Sequence, residues 1–213
     1  MAILSTNRSP ATGRERRSTT PRPRPPRIHS LPTETLCALL RAFKPAGEIL
    51  ELAAGTGQWT PILAEYATSL TAVDASREML DVNRAKVADR AVRSLAADLF
   101  NWKPPHAYDV VFFGYFLSHV PQGQFEPFWS LVARSLRASG RVFFGDEVDH
   151  GICNEAWIDR DRGVVQRTLT DGSRHRAVKV LWRPGDLRNR PAELGWYASV
   201  HAEGPFYWGT AAR

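Results

Sequence analysis

The feature that most restricts what this chain can fold into is a rhythm. Short apolar runs ending in glycine or a carboxylate alternate with helical segments on a cycle of about 20–30 residues. Glu48 to Ala53 (EILELA) reads as a buried strand closed by Gly55-Thr56-Gly57. Ser69 to Asp74 and Val92 to Ala97 read as the next two, the second closing on Asp74 and the third beside Asp98. Tyr108 to Phe113 is a continuous apolar run, as a strand covered on both faces requires. Val142 to Gly145 is the fifth, followed by Asp146-Glu147. Strands spaced this way need crossover helices, so the sheet is read as parallel through its fifth member.

The helices carry their own punctuation. Thr33 is read as the cap of a short first helix with Leu36, Leu39, Leu40 and Phe43 on one face, stopped by Pro45 and Gly47. Thr60 is read as the cap of the second, with Pro61 at its first position and Trp59 half-buried ahead of it. Ser76 caps the third, with Glu78 and Met79 in its first turn. Gln124 to Ala138 is an amphipathic helix with Gly140 as its stop. Beyond residue 147 the rhythm changes, and residues 148–183 read as an insertion. In it, Val164–Leu169 and His175–Trp182 flank Asp171-Gly172-Ser173 as a hairpin. A helix over Pro184–Leu194 and an antiparallel pair, Ala198–Ala202 with Phe206–Thr210, close the domain.

Charge confines the basic character to one end. Residues 1–27 hold seven arginines and one acid, which accounts for the whole formal net charge of +6. The remaining 186 residues carry 21 basic and 21 acidic side chains. The segment 1–27, rich in Arg, Pro, Ser and Thr, is read as a disordered tail, and 28–213 as the folded domain. A neutral domain argues against a nucleic-acid duplex as partner. No apolar run is long enough to span a membrane. Cys37 and Cys153 form no disulfide framework, so a reducing, cytoplasmic setting is expected.

In an open α/β sheet, ligands bind outside the carboxyl ends of the strands, near the reversal of strand order. A glycine turn, an acid 19 residues after Gly55 (Asp74) and a third-strand acid (Asp98) make a nucleoside signature in that position. A dinucleotide clamp would place a third glycine where Thr60 stands, and no phosphate-cradling G-x-x-x-x-G-K-[ST] occurs. A nucleoside without phosphates fits better.

These segments resemble a family. ILELAAGTGQWT is similar to the first motif of class I S-adenosylmethionine-dependent methyltransferases. TAVDASREML resembles their ribose-binding strand end, AADLFNW their adenine-side acidic motif, and YDVVFFGYFLSHVP their fourth strand and its loop. GRVFF at 140–144 resembles the turn and fifth strand. The resemblance implies a doubly wound, Rossmann-like α/β sheet of seven strands, mostly parallel with a C-terminal antiparallel pair. It implies S-adenosyl-L-methionine as cofactor. Glu51 would hold the methionine ammonium side through water, and Ala53, Gly55 and Gly57 would offer backbone contacts. Asp74 would take the ribose hydroxyls, with Ala75 and Met79 bordering adenine. Asp98 would accept its amine, Leu99 would donate a backbone N–H to the ring, and Phe113 and Gly114 would face the methionine group.

His119 is the candidate proton acceptor, because imidazole titrates near neutrality. The plainer reading has it bonding loop backbone. Asp146, His150 and Tyr115 are weaker candidates for the proton. Tyr115, His119, Asp146 and Trp157 are expected to line the acceptor pocket. The run Asp146-Glu147-Val148-Asp149-His150 has the composition of an oxygen-rich metal loop, but a solvated loop without metal is the reading adopted. The expected activity is methyl transfer to a small molecule. Two alternatives stand beside it: a nucleic-acid methyltransferase or binding protein using the arginine arm, and an inactive relative that binds the cofactor.

Overall fold

A computed structural model describes residues 30–87, 91–148, 155–168 and 172–213. The expected tail, residues 1–27, lies outside them, as do Asp149, His150 and Cys153.

The main sheet has seven strands: β1 (Gly47–Leu52), β2 (Ala67–Asp74), β3 (Val92–Ala96), β4 (Tyr108–Gly114), β5 (Leu136–Glu147), β9 (Tyr197–Glu203) and β10 (Phe206–Ala212). Their order is β3-β2-β1-β4-β5-β10-β9. The first five run parallel. β10 runs antiparallel to both β5 and β9. This is a Rossmann-like α/β fold. Strand order reverses between β1 and β4, which opens a crevice at their carboxyl ends.

Alternation along the strands feeds two cores. Ile49, Val110, Phe112 and Phe143 face α1 (Ser30–Phe43) and α2 (Thr60–Tyr66), where Leu36, Leu40 and Leu63 are fully buried. Leu50, Val111, Phe113 and Phe144 face α4 (Phe125–Ser135) and α5 (Pro184–Glu193). There Phe113 lies 5.1 Å from Phe128 and 5.5 Å from Phe144, ring centre to ring centre. α3 (Arg77–Lys86) covers β2 and β3, packing Leu80 against Ala54 and Ala72.

The remaining strands form a separate antiparallel sheet in the order β6-β7-β8. They span Glu155–Asp159, Val164–Thr168 and Arg174–Val178. β7 and β8 are the expected hairpin. β6, with its short alternation, was not anticipated.

Four local expectations are corrected. Thr33 lies inside α1, which starts at Ser30. Trp59, not Thr60, is the N-cap of α2 and makes no side-chain cap bond; Pro61 stands in the first turn as expected. Trp59 is 3% exposed, not half-buried, because its ring packs on Phe112 and Tyr115. α4 ends at Ser135 and the chain enters β5 at once, so Gly140 is a buried residue of β5 rather than a helix stop. Ser76 caps α3 as expected, accepting from the Met79 N–H at 3.2 Å.

At the amino end of the sheet Arg137 donates to Asp109 at 2.6 Å and to Glu48 at 3.2 Å. All three side chains are over a third exposed, so water screens the network. Arg137→Ala is expected to lower unfolding free energy by less than about 1 kcal/mol in urea titration.

Candidate active site

The carboxyl ends of β1, β2 and β4 supply the site. After β1 the chain makes a left-handed turn at Ala53 (φ 54°), Gly55 (52°) and Gly57 (78°). Asp74, half-buried at the end of β2, fastens this turn: its Oδ2 accepts the Gly55 N–H at 2.8 Å. Its Oδ1 accepts the Ser76 N–H at 2.9 Å, so one carboxylate organises both loops. Each oxygen keeps a further acceptor direction. Open space lies where a Gly55 side chain would be, since a Cβ there meets nothing within 4 Å.

Glu51 is completely buried in the strand below that turn. Its Oε2 accepts from the Thr60 hydroxyl at 2.7 Å, and its Oε1 has no protein partner. Burial pushes the Glu51 carboxyl up to about 8, opposed by the Thr60 bond and assisted by the nearby Asp74 carboxylate. An unpartnered buried carboxylate oxygen is costly unless something polar arrives to meet it.

On the β3 side, Asp98 is exposed and Leu99 buried. Asp98 accepts from the Phe100 N–H at 3.1 Å and the Asn101 amide at 2.6 Å. Ala75 is exposed, and Met79 is 45% exposed on the first turn of α3. Phe113 and Gly114 are buried, and the Phe113 ring belongs to the core, so only their backbone is available to a ligand. Gly114 lacks a Cβ because one would lie 2.6 Å from the Trp59 indole nitrogen.

The loop after β4 carries the second half. Tyr115 is held at φ 54° and hydrogen-bonds through its side chain to Thr33. Burial raises its hydroxyl above the ordinary phenol range. Residues 117–119 form a tight turn bonded to the small sheet and its exit. His119 Nδ1 meets the Val178 carbonyl at 2.7 Å, Val180 N–H donates to Ser118 at 2.7 Å, and the Trp182 indole donates to Leu117 at 3.0 Å. Beneath the turn, Asp146 is 1% exposed; it accepts the Ser118 N–H at 2.7 Å and the Glu147 N–H at 2.7 Å. Burial raises its carboxyl, against those two backbone donors and the charges of Lys179 and His119.

Lys179 is 3% exposed and donates to Glu147 at 2.9 Å. Neither it nor the buried Ser118, Asn83 and Tyr207 stands out in the sequence. Lys179 and Asn83 bond to elements far away along the chain, and the Ser118 and Tyr207 hydroxyls are buried without a hydrogen-bond partner among the described residues. Trp157 is brought less close: it lies on β6, two strands from β8, beneath the Arg160 guanidinium at 5.1 Å.

Residues 49–140 match the methyltransferase domain family. Among solved structures the chain is similar to DhpI in complex with SAH, at 38% identity over 84% of each chain with TM-score 0.73. It is similar to the DhpI–SAM–HEP complex at 35% identity, covering 87% of this chain and 88% of that one, TM-score 0.77. PH0226 from Pyrococcus horikoshii OT3, at 22% identity, 85% and 89% coverage and TM-score 0.68, shares the fold. A shorter stretch of 68 residues is 37% identical to ribosomal RNA large subunit methyltransferase M of Alkalilimnicola ehrlichii, covering 32% of this chain and 18% of that protein. The chain belongs to the class I S-adenosylmethionine-dependent methyltransferases. Its cofactor is S-adenosylmethionine, and an unpartnered Glu51 oxygen beside an open glycine turn fits a group with an ammonium and a ribose.

Proposed function

We propose that this enzyme methylates a small molecule bound at the carboxyl edge of β4, beside the turn at 117–119 and the three-stranded sheet tied to it. One observation carries the reading: three hydrogen bonds fasten that sheet and its exit to the turn that follows β4. A layer fastened over the loop after β4 favours a small acceptor over a nucleic-acid track, and the charge-balanced domain agrees.

When bound, the cofactor supplies a sulfonium-activated methyl group. The chain's own residues bind, orient and exclude water. Glu51 Oε1 receives the ammonium side, and the backbone of Ala53, Gly55 and Gly57 lines the methionine and ribose. Asp74 accepts from the ribose hydroxyls. Ala75 and Met79 border the adenine, Asp98 accepts from its amine, and the Leu99 N–H serves the ring. The backbone at Phe113 and Gly114 faces the methionine end.

His119 is assigned the acceptor's proton. A carbonyl oxygen only accepts, so the bond to Val178 fixes the hydrogen on Nδ1 and leaves the Nε2 lone pair free in the neutral ring. Asp146 is assigned an anchoring role, since its two oxygens already hold the backbone of the turn and of β5. Tyr115 is assigned to the α1 side of the acceptor, held there by its bond to Thr33.

A screen with labelled S-adenosylmethionine tests this, presenting small alcohols, amines and acids alongside RNA and DNA. Label transferred to a small compound supports the reading; label found only in nucleic acid overturns it. Deleting residues 1–27 is expected to leave cofactor affinity within about twofold, measured by calorimetry. The arginine-arm alternative instead demands nucleic-acid binding that weakens steeply with salt and disappears on that deletion.

A further inference from the structure

Two fully buried polar side chains, Thr60 and Asn83, have no part in the site as assigned above. They touch each other and Glu51 in series. The Asn83 amide Nδ2 donates to the Thr60 hydroxyl at 2.9 Å, and that hydroxyl donates to Glu51 Oε2 at 2.7 Å. A hydroxyl owns one hydrogen. Because Asn83 occupies a lone pair of Thr60, the hydrogen is left for Glu51. Oε2 is thereby satisfied and Oε1 is the atom left over. Asn83 also supports the glycine turn from behind: a Cβ on Gly57 would come within 2.8 Å of Asn83 Cγ. The second glycine of the turn is therefore demanded by this packing.

We infer that Thr60 and Asn83 are positioning residues for the cofactor: a relay from α3 through α2 to β1 that presents one oxygen of Glu51 to the methionine ammonium while setting the Gly57 turn. The inference rests on the proposed placement of that ammonium at Glu51. It also implies a proton step. The charged group facing Glu51 is Asp74 from β2; α2 and α3 contribute the neutral Thr60 and Asn83, and β4 contributes Phe112 in register. With a carboxyl raised to about 8, Glu51 is protonated before binding at neutral pH. An arriving ammonium favours the carboxylate, so the O–H bond of Glu51 breaks and its proton passes to the buffer.

Calorimetry with S-adenosylhomocysteine at pH 7, in two buffers of different ionisation heat, tests both parts. Wild type is expected to release close to one proton (~0.9) per cofactor bound. Thr60→Val, which keeps the shape and removes the hydroxyl, is expected to weaken binding about tenfold. Thr60→Ser is expected to restore it to within about twofold of wild type. Asn83→Leu reads the relay from its other end and is expected to cost about threefold to fivefold. Thermal unfolding confirms that each variant is folded, and should Thr60→Val fail to fold, Asn83→Leu and the wild-type proton count carry the test.

Folded Thr60→Val binding as tightly as wild type, or Thr60→Ser as weak as Thr60→Val, overturns the relay. No proton release from wild type overturns the ionisation step. Glu51→Gln separates the two levels. Undiminished affinity there means that the ammonium does not lie at Glu51. Weakened binding in Glu51→Gln alongside an unaffected Thr60→Val means that the relay alone is wrong.

Discussion

Replacing Asp74 by alanine is expected to weaken S-adenosylmethionine binding by about two orders of magnitude. The carboxylate has three duties in the proposed complex. It accepts the Gly55 N–H, it accepts the Ser76 N–H, and it has acceptor directions left for a ribose. Hydrogen bonds to a charged group contribute about 1.5–3 kcal/mol each. Losing the sugar contact and loosening the glycine turn together comfortably reaches a hundredfold. Asp74→Asn keeps one oxygen acceptor and should fall between wild type and alanine. Calorimetry with cofactor reads the series. An alanine variant that is folded and binds within threefold of wild type would remove Asp74 from the site.

His119→Ala is expected to lower kcat by about 100-fold to 1000-fold while cofactor affinity stays within about twofold. The imidazole hangs on the turn after β4, with Nδ1 committed to Val178 and Nε2 left to act. That arrangement allows the proton role to be separated from the structural tie. His119→Asn can still donate to the Val178 carbonyl but offers no ring lone pair. If the ring is the base, asparagine is as slow as alanine, and added imidazole restores part of the alanine variant's rate. If the tie alone matters, asparagine recovers most of the rate and imidazole does nothing. Steady-state kinetics with the acceptor found by the screen measures both.

Much of this was readable in the chain because it depends on neighbours in sequence. The five parallel strands end where glycine and carboxylate punctuation puts them, and Ser76 caps its helix with its own side chain. The order Gly55, Asp74, Asp98 follows from strands that are consecutive in space. What failed depended on partners far along the chain. Thr60 looks like a cap, yet its hydroxyl turns inward because a buried Glu51 needs a donor more than a solvated helix end does. Trp59 looks like a helix-edge residue until Gly114 makes room for its indole. α4 was read three residues too long because Leu136, Arg137 and Ala138 suit a helix. Pairing of Leu136 with Tyr108 in the sheet overrides that preference. The tie between His119 and Val178 spans 59 residues, and no local pattern announces it.

The β6-β7-β8 layer is continuous in sequence, enters after β5 and leaves before α5. Its bonds to the β4 loop run through the Val178 carbonyl, the Val180 amide and a single indole. Two of those three involve only backbone on the inserted side. Side chains elsewhere in β6 and β7 are therefore free to diverge without unfastening the join. On the proposed placement of the acceptor, the enzyme is built like a handle with an exchangeable bit, in which the grip on the methyl donor stays fixed while the working tip can be recut for another task.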